Sequence, residues 1–235
     1  MLASAVPDAV LGTNCLVLAP AAGEECVVVD PGFDVLDRLD AVLAEHRLRP
    51  AAVLLTHGHA DHVWSVTPVC QARGVPALVH ADDAHRLDDP LAHLGGPLLA
   101  MLEQRFGGRP TWAGPDDVRT FAGAEVPLSA AGLDLVALHA PGHTEGSAVF
   151  VLDAVPAELA ARGAPVGSTA LSGDVLFAGS VGRTDLPGGD EAAMERSLRD
   201  VVLPMPDDRL VLPGHGGVTT IAWERSANPY LRQLS

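Results

Sequence analysis

The 235-residue chain contains no lysine: all 15 of its basic residues are arginine, set against 30 acids and a formal net charge of -15. A face basic enough to follow a phosphate backbone is excluded, and a nucleic-acid partner with it. Cysteine is scarce as well. Cys15, Cys26 and Cys70 are odd in number and lack CxxC spacing, which argues against a disulfide framework or a thiolate zinc site and leaves buried core thiols. No apolar run is long enough to cross a bilayer, and Met1–Val10 lacks the basic start of a secretory leader, so a cytoplasmic protein with no membrane partner is expected. Flexible Gly/Ser or charged linkers are missing too, so residues 1–235 are expected to form a single domain. With 48% apolar and 19% charged residues, that domain can bury a sizeable core.

What is present alternates between strands and helices. Leu16–Leu18 and Cys26–Val29, joined by a turn at Pro20–Gly23, read as a hairpin. Asp34 is placed to cap a helix over Val35–Arg47, whose Leu36, Leu39 and Leu43 share a face. Val53–Thr56 reads as a buried strand, Trp64–Arg73 as a helix stopped by Gly74, Pro76–Val79 as a strand, and Leu98–Phe106 as a helix ended by Gly107 and Gly108. Further strands are expected at Leu133–Leu138, Ala148–Leu152, Ala170–Leu171 and Leu210–Leu212, with a helix near Glu191–Val201 and a surface insertion at Val155–Ser168. This is a mixed α/β chain. His80, His85 and His93 have no close ligand spacing and are assigned to turns, surface or packing.

One stretch concentrates chemistry. Thr56-His57-Gly58-His59-Ala60-Asp61-His62 packs three imidazoles and a carboxylate into six residues behind an apolar run, a ligand set suited to zinc, iron or manganese. If the chain stays extended, His57, His59 and Asp61 point one way and His62 the other, so the stretch can wrap two ions. Asp30, at a strand end, either orients one of these histidines or is an ordinary turn residue. Three more ligand types emerge beside glycine just past apolar runs: His143, Asp174 and His215. Together the seven can hold two ions if Asp174 bridges them.

These motifs, Thr56–His62, Pro141-Gly142-His143-Thr144, Gly173-Asp174 and Pro213-Gly214-His215-Gly216, resemble the metallo-β-lactamase superfamily and, within it, the short glyoxalase II-like hydrolases. The loop Gly179-Ser180-Val181-Gly182-Arg183-Thr184-Asp185 is similar to one shared by those hydrolases and persulfide dioxygenases. The resemblance implies a four-layer αββα sandwich. It implies that His57, His59 and His143 hold one metal and Asp61, His62 and His215 the other, with Asp174 bridging. The expected cofactors are two divalent ions, zinc first, with iron or manganese as alternatives. It also implies that the C-terminal helical domain with which longer glyoxalase II enzymes grip glutathione is missing here. Arg225 and Arg232 are the only basic residues after His215, and they are as free to pair with Glu224 or the C-terminal carboxylate as with substrate.

The expected function is hydrolysis of a small-molecule acyl thioester by a metal-bridging hydroxide, with Asp61 orienting the nucleophile and Asp174 placing both metals. Arg183 is a candidate for binding a substrate carboxylate, equally readable as the ion-pair partner of Asp185. The alternatives are a persulfide dioxygenase with one iron on His57, His143 and Asp174, and a non-catalytic metal-binding module.

Overall fold

Period-two burial along the strands sorts the apolar residues into layers. The computed structural model describes residues 1–94 and 96–234. Its first sheet runs, in spatial order, β1 (Leu2–Pro7), β2 (Asn14–Ala19), β3 (Glu25–Val29), β4 (Arg49–Leu54), β5 (Ala77–His80) and β6 (Val118–Phe121). The second sheet is built from β7 (Glu125–Ala130), β8 (Leu133–His139), β9 (Ala148–Leu152) and β10 (Ser168–Gly173). After a small hairpin of β11 (Leu176–Phe177) and β12 (Ser180–Val181), it is completed by β13 (Arg209–Pro213) and β14 (Thr219–Thr220). In β2 and β3, Leu16, Leu18, Val27 and Val29 face the second sheet, where they meet Phe150, Leu152 and Leu171. Their neighbours Cys15, Val17, Cys26 and Val28 turn to the opposite face. That alternation is what a sheet buried on both faces requires.

Helices cover the two outer faces. Leu39 and Leu43 of α1 (Leu36–His46) join the outer layer of the first sheet. After the single turn of α2 (Ala60–Val63), so do Val66 and Val69 of α3 (Val66–Arg73). α4 (Gly96–Phe106) and α5 (Ala157–Ala161) lie in connections. Met194 of α6 (Glu191–Ser197), Ile221 of α7 (Ile221–Ala227) and Leu231 of α8 (Pro229–Arg232) cover Val149, Val151 and Val211 of the second sheet. The result is the expected αββα sandwich, in which each fully buried Leu or Phe contributes on the order of 1.5–3 kcal/mol.

Strand direction then creates one functional edge. β3 and β4 are parallel and end in register, Val29 beside Leu54; β10 and β13 are parallel and end with Gly173 beside Pro213. At that edge Ala148 N–H donates to the Thr56 carbonyl at 2.9 Å, joining the sheets. Loops leaving parallel strands at their carboxyl ends are the usual place for a ligand site in α/β folds.

Several local expectations are corrected. Asp34 does not cap α1: it is left-handed at φ 51°, the N-cap position falls on Val35 with no side-chain bond, and the Asp34 carboxylate meets Arg105. The Thr56–His62 stretch is extended only to His59, after which α2 begins and turns Asp61 and His62 by helical rather than strand geometry. Arg225 ion-pairs with Asp207 and donates to the Leu203 and Met205 carbonyls. Glu224 is buried, accepting from Gly179 N–H, Thr219 and Asn228. The C-terminal carboxylate, on Ser235, lies outside the described residues. The helix near Glu191–Val201 is α-helical to Ser197 and widens to a π turn over Leu198–Val202. Cys15, Cys26 and Cys70 are buried free thiols, as composition suggested. Among the described residues no helix is long and apolar enough to cross a membrane.

Candidate metal centre

All seven ligand types singled out in the sequence converge on the edge where β4, β8, β10 and β13 end. His57 and His59 leave β4 on extended backbone, while Asp61 and His62 sit on α2. His143 lies in the turn between β8 and β9, Asp174 directly after β10, and His215 two residues beyond β13. The β13 loop is pulled in by Gly214 N–H donating to the Gly173 carbonyl at 2.8 Å and by Asn14 N–H donating to the Gly214 carbonyl at 2.7 Å. The approach is so close that a Cβ on Gly214 would overlap Asp174 Oδ1 and crowd the His62 ring, a reason for glycine there.

The side chains fall into two groups. In the first, His57 Nε2 lies 3.1 Å from His59 Nδ1, which lies 2.8 Å from His143 Nε2. In the second, His215 Nε2 lies 3.2 Å and His62 Nε2 3.6 Å from Asp61 Oδ2. Asp174 stands between them: Oδ2 is 3.5 Å from His143 Nε2 and 3.6 Å from His215 Nε2, and Oδ1 is 3.3 Å from His62 Nε2. The sets His57–His59–His143 and Asp61–His62–His215 are each compact enough for one ion, as is His57–His62–Asp174.

The surrounding residues fix ring orientation. Asp30 is left-handed at φ 50°, a conformation that aspartate tolerates at modest cost. Its carboxylate accepts from Thr56 N–H at 2.8 Å, the Thr56 hydroxyl at 2.6 Å and His62 Nδ1 at 2.9 Å. Of the two readings of Asp30, orientation of a histidine is therefore the one the geometry supports. The other nitrogen of His143, Nδ1, faces the Arg183 carbonyl at 2.8 Å. Thr13, which nothing in its sequence context flags, donates its hydroxyl to Asp61 Oδ2 at 2.8 Å.

The two groups are electrostatically unlike. Burial holds His57 well below the usual imidazole range, with His62 and His143 adding to the effect, and burial together with His143 brings His59 down to about 3. His143 is lowered by burial, against Asp174. Burial also opposes ionisation of His62 and His215, but the carboxylates of Asp174 and Asp61 override it and raise both. Burial would raise Asp61 and Asp174; His62 and, secondarily, His215 hold both below the ordinary carboxylate value.

Arg183 does not reach into this centre. It forms a fork on Asp185 with two 2.7 Å bonds on the exposed surface. His85 meets His93 edge-on at 5.6 Å, and His80 stacks on His139 with ring centroids 3.9 Å apart, the pair forming with Asp82 a further compact group of metal-ligand type that its sequence spacing did not suggest.

The donor set fits divalent cations. His62 Nε2 and Asp174 Oδ1 are buried 3.3 Å apart and have no other hydrogen-bond partner, an arrangement that is costly unless another species satisfies them more fully. The imidazole nitrogens of the first group face one another at hydrogen-bond distance, and mixed N/O ligands suit zinc, iron or manganese.

Comparison with known proteins points the same way. A family model described as the metallo-beta-lactamase superfamily matches residues 8–155. An uncharacterized protein of Mycobacterium tuberculosis is 40% identical over 100% of both chains. The hydroxyacylglutathione hydrolase GloC of Haemophilus influenzae is 33% identical over 90% of each. Among solved structures, the BLEG-1 B3 metallo-beta-lactamase superimposes with a TM-score of 0.76 at 32% identity, over 98% of this chain and 99% of that one. TTHA1623 in a di-iron-bound form gives 0.72 at 32% identity, over 97% and 100%.

Proposed function

The chain belongs to the metallo-beta-lactamase superfamily, and we propose that it is a metal-dependent hydrolase of small-molecule acyl thioesters, holding two divalent ions, zinc first, with iron or manganese as alternatives. The observation that carries the reading is the Asp174 carboxylate standing between two compact ligand groups. Similarity to a hydroxyacylglutathione hydrolase over nine-tenths of each chain supports the substrate class. His57, His59 and His143 would hold one ion, Asp61, His62 and His215 the other, and Asp174 both.

When bound, such a pair supplies Lewis acidity toward a carbonyl oxygen and water acidified to near neutrality. The rest falls to the chain. Hydrogen bonds at His62 Nδ1 and His143 Nδ1 fix each ring so that Nε2 presents its lone pair inward. Asp61, kept ionised by its histidine neighbours and steadied by Thr13, orients water by accepting its hydrogen. Oxygen adds to the acyl carbon, the carbon–sulfur bond breaks, and the thiol leaves as thiolate. With an ordinary thiol pKa of about 8.5, that leaving group needs no strong general acid.

Beside His143, a 380 Å³ cavity is lined by Gly182, Arg183, Tyr230 and the acidic Asp185, Glu191 and Glu195. Three carboxylates against one arginine are a poor complement to a dicarboxylate tripeptide, so the thiol carrier is loosely specified and KM for S-lactoylglutathione is high. Arg183 is the one cationic side chain in that lining and would meet a substrate carboxylate by exchanging its bond with Asp185. The test is hydrolysis of S-lactoyl thioesters differing only in thiol, run beside an oxygen electrode supplied with a low-molecular-weight persulfide. Thioester cleavage without oxygen uptake is expected; rapid oxygen uptake with sulfite formation would replace the hydrolase by a dioxygenase.

A further inference from the structure

The two loops that supply the three-imidazole group come from different sheets, and a third segment lies between them. The 3-10 turn Ala81–Leu87, which follows β5, carries Asp83, a side chain with no exposure. Its Oδ2 accepts from Gly58 N–H at 2.7 Å and from the Thr144 hydroxyl at 2.8 Å. Its Oδ1 accepts from Gly146 N–H at 2.7 Å and lies 3.3 Å from Arg86 Nε. Gly58 sits between His57 and His59, and Thr144 follows His143. A Cβ on Gly58 would overlap the Arg86 side chain, and one on Gly146 would overlap Asp83 itself, so both loops are seated directly on this turn. Arg86, 1% exposed, extends the tie by pairing with Glu145 and donating to the Pro187 carbonyl at 2.9 Å.

Three hydrogen-bond donors and a neighbouring guanidinium on one buried carboxylate make a strong, directional junction, since charge-assisted bonds are about twice as strong as neutral ones. A carboxylate needed only to satisfy its own turn would not reach across to two other loops. We infer that Asp83 is a positioning residue, fixing the His57–His59 loop against the His143 loop so that three imidazoles from two sheets converge on one divalent cation. The inference rests on the metal-centre reading above and extends it to a residue 25 positions from Gly58 and 61 from Thr144.

The test uses metal-stripped protein in a His215→Ala background, so that the three-imidazole group is read by itself. Cobalt(II) is titrated in and followed by its visible absorption, with circular dichroism reporting the fold. Asp83→Asn keeps the shape but offers a single acceptor oxygen, and an affinity loss of about 10–100-fold with a weakened cobalt band is expected, the usual range for partners that orient ligands. Thr144→Val should show a smaller loss in the same direction, and Thr144→Ser, which keeps the hydroxyl, should match the parent. If Asp83→Asn does not fold, the valine–serine pair decides, because it removes one donor of three. Folded Asp83→Asn and Thr144→Val proteins that bind cobalt as tightly as the parent overturn the inference alone. A parent that takes up no cobalt overturns the metal reading and this inference with it.

Discussion

The three-imidazole group and the mixed group share an edge of the fold but solve opposite electrostatic problems. His57, His59 and His143 are buried among one another, and desolvation keeps them neutral. His62 and His215 are drawn toward protonation by Asp61 and Asp174, and His215 keeps 29% of its side chain exposed. The first group is thus ready for a cation at neutral pH without releasing protons. On the proposed two-ion reading the second would exchange imidazole protons for metal, so its affinity should depend more steeply on pH. Asp174 is the only side chain among the seven whose carboxylate is shared between the groups.

Asp174→Ala breaks the comparison most severely, because both groups lose a donor. Its effect should exceed the roughly 100-fold that loss of an orienting partner causes, in kcat/KM and in metal content at both positions. Retention of two ions at full occupancy would show that the carboxylate does not bridge. His215→Ala should separate the groups instead, emptying mainly the mixed one; elemental analysis showing loss of both ions would mean the two are not independent.

Asp30→Ala comes next. It leaves Thr56 N–H, the Thr56 hydroxyl and His62 Nδ1 without their acceptor. Metal affinity should fall about 10–100-fold in the mixed group, and metal-free stability by roughly 1–3 kcal/mol or more. Because the Thr56 hydroxyl also lies 3.1 Å from His57 Nδ1, a smaller loss is expected in the three-imidazole group, and equal weakening of both, read by calorimetric titration, would contradict a role exerted mainly through His62.

The pH dependence of metal-free stability sharpens the contrast. For His59 the unfolded chain binds a proton near 6.5 and the folded one only near 3, so this histidine's contribution is intact above 6.5 and is lost as pH falls toward 3. The raised His62 and His215 act oppositely: their contribution is intact below 6.5 and is lost as pH rises through their folded values. Urea unfolding across pH 4–8 should show the acid-side loss diminished in His59→Gln and the alkaline-side loss diminished in His215→Gln. Identical profiles in both variants would remove the distinction.

The smallest effect is expected at Arg183. Its exposed fork with Asp185 contributes little to stability, so Arg183→Ala should melt like the parent, and only KM for carboxylate-bearing thioesters should rise, about tenfold. An unchanged KM would confine Arg183 to shaping its loop.

Much of this contrast was legible in the letters. His57, His59, Asp61, His62, His143, Asp174 and His215 each follow an apolar run, and a side chain just past a buried strand has little choice but to emerge at the sheet edge. The strands that could be read are marked by an apolar run or a clean alternation: Ala148–Leu152 is apolar throughout, and β8 sets exposed Asp134 between buried Leu133 and Leu135. Those that could not are the two-residue strands β11, β12 and β14 and the sheet-edge strands β1, β6 and β7: β7 alternates exposed and half-buried residues and contains Pro127, and β1 is largely small residues. Thr13 and Asp83 were silent for another reason. Their partners Asp61 and Thr144 are 48 and 61 residues away, and an ordinary turn threonine or aspartate carries no local mark of a distant contact. Asp34 misled because a cap-type residue before an amphipathic run can also take the left-handed turn that precedes the cap.

The most direct measurement is the metal content of gently purified wild-type protein by elemental analysis, per chain and by element. Two transition-metal ions per chain, lost together on Asp174→Ala and singly on His215→Ala, are the predicted result. One tightly held iron with no second ion would contradict the two-group centre and the hydrolase built on it.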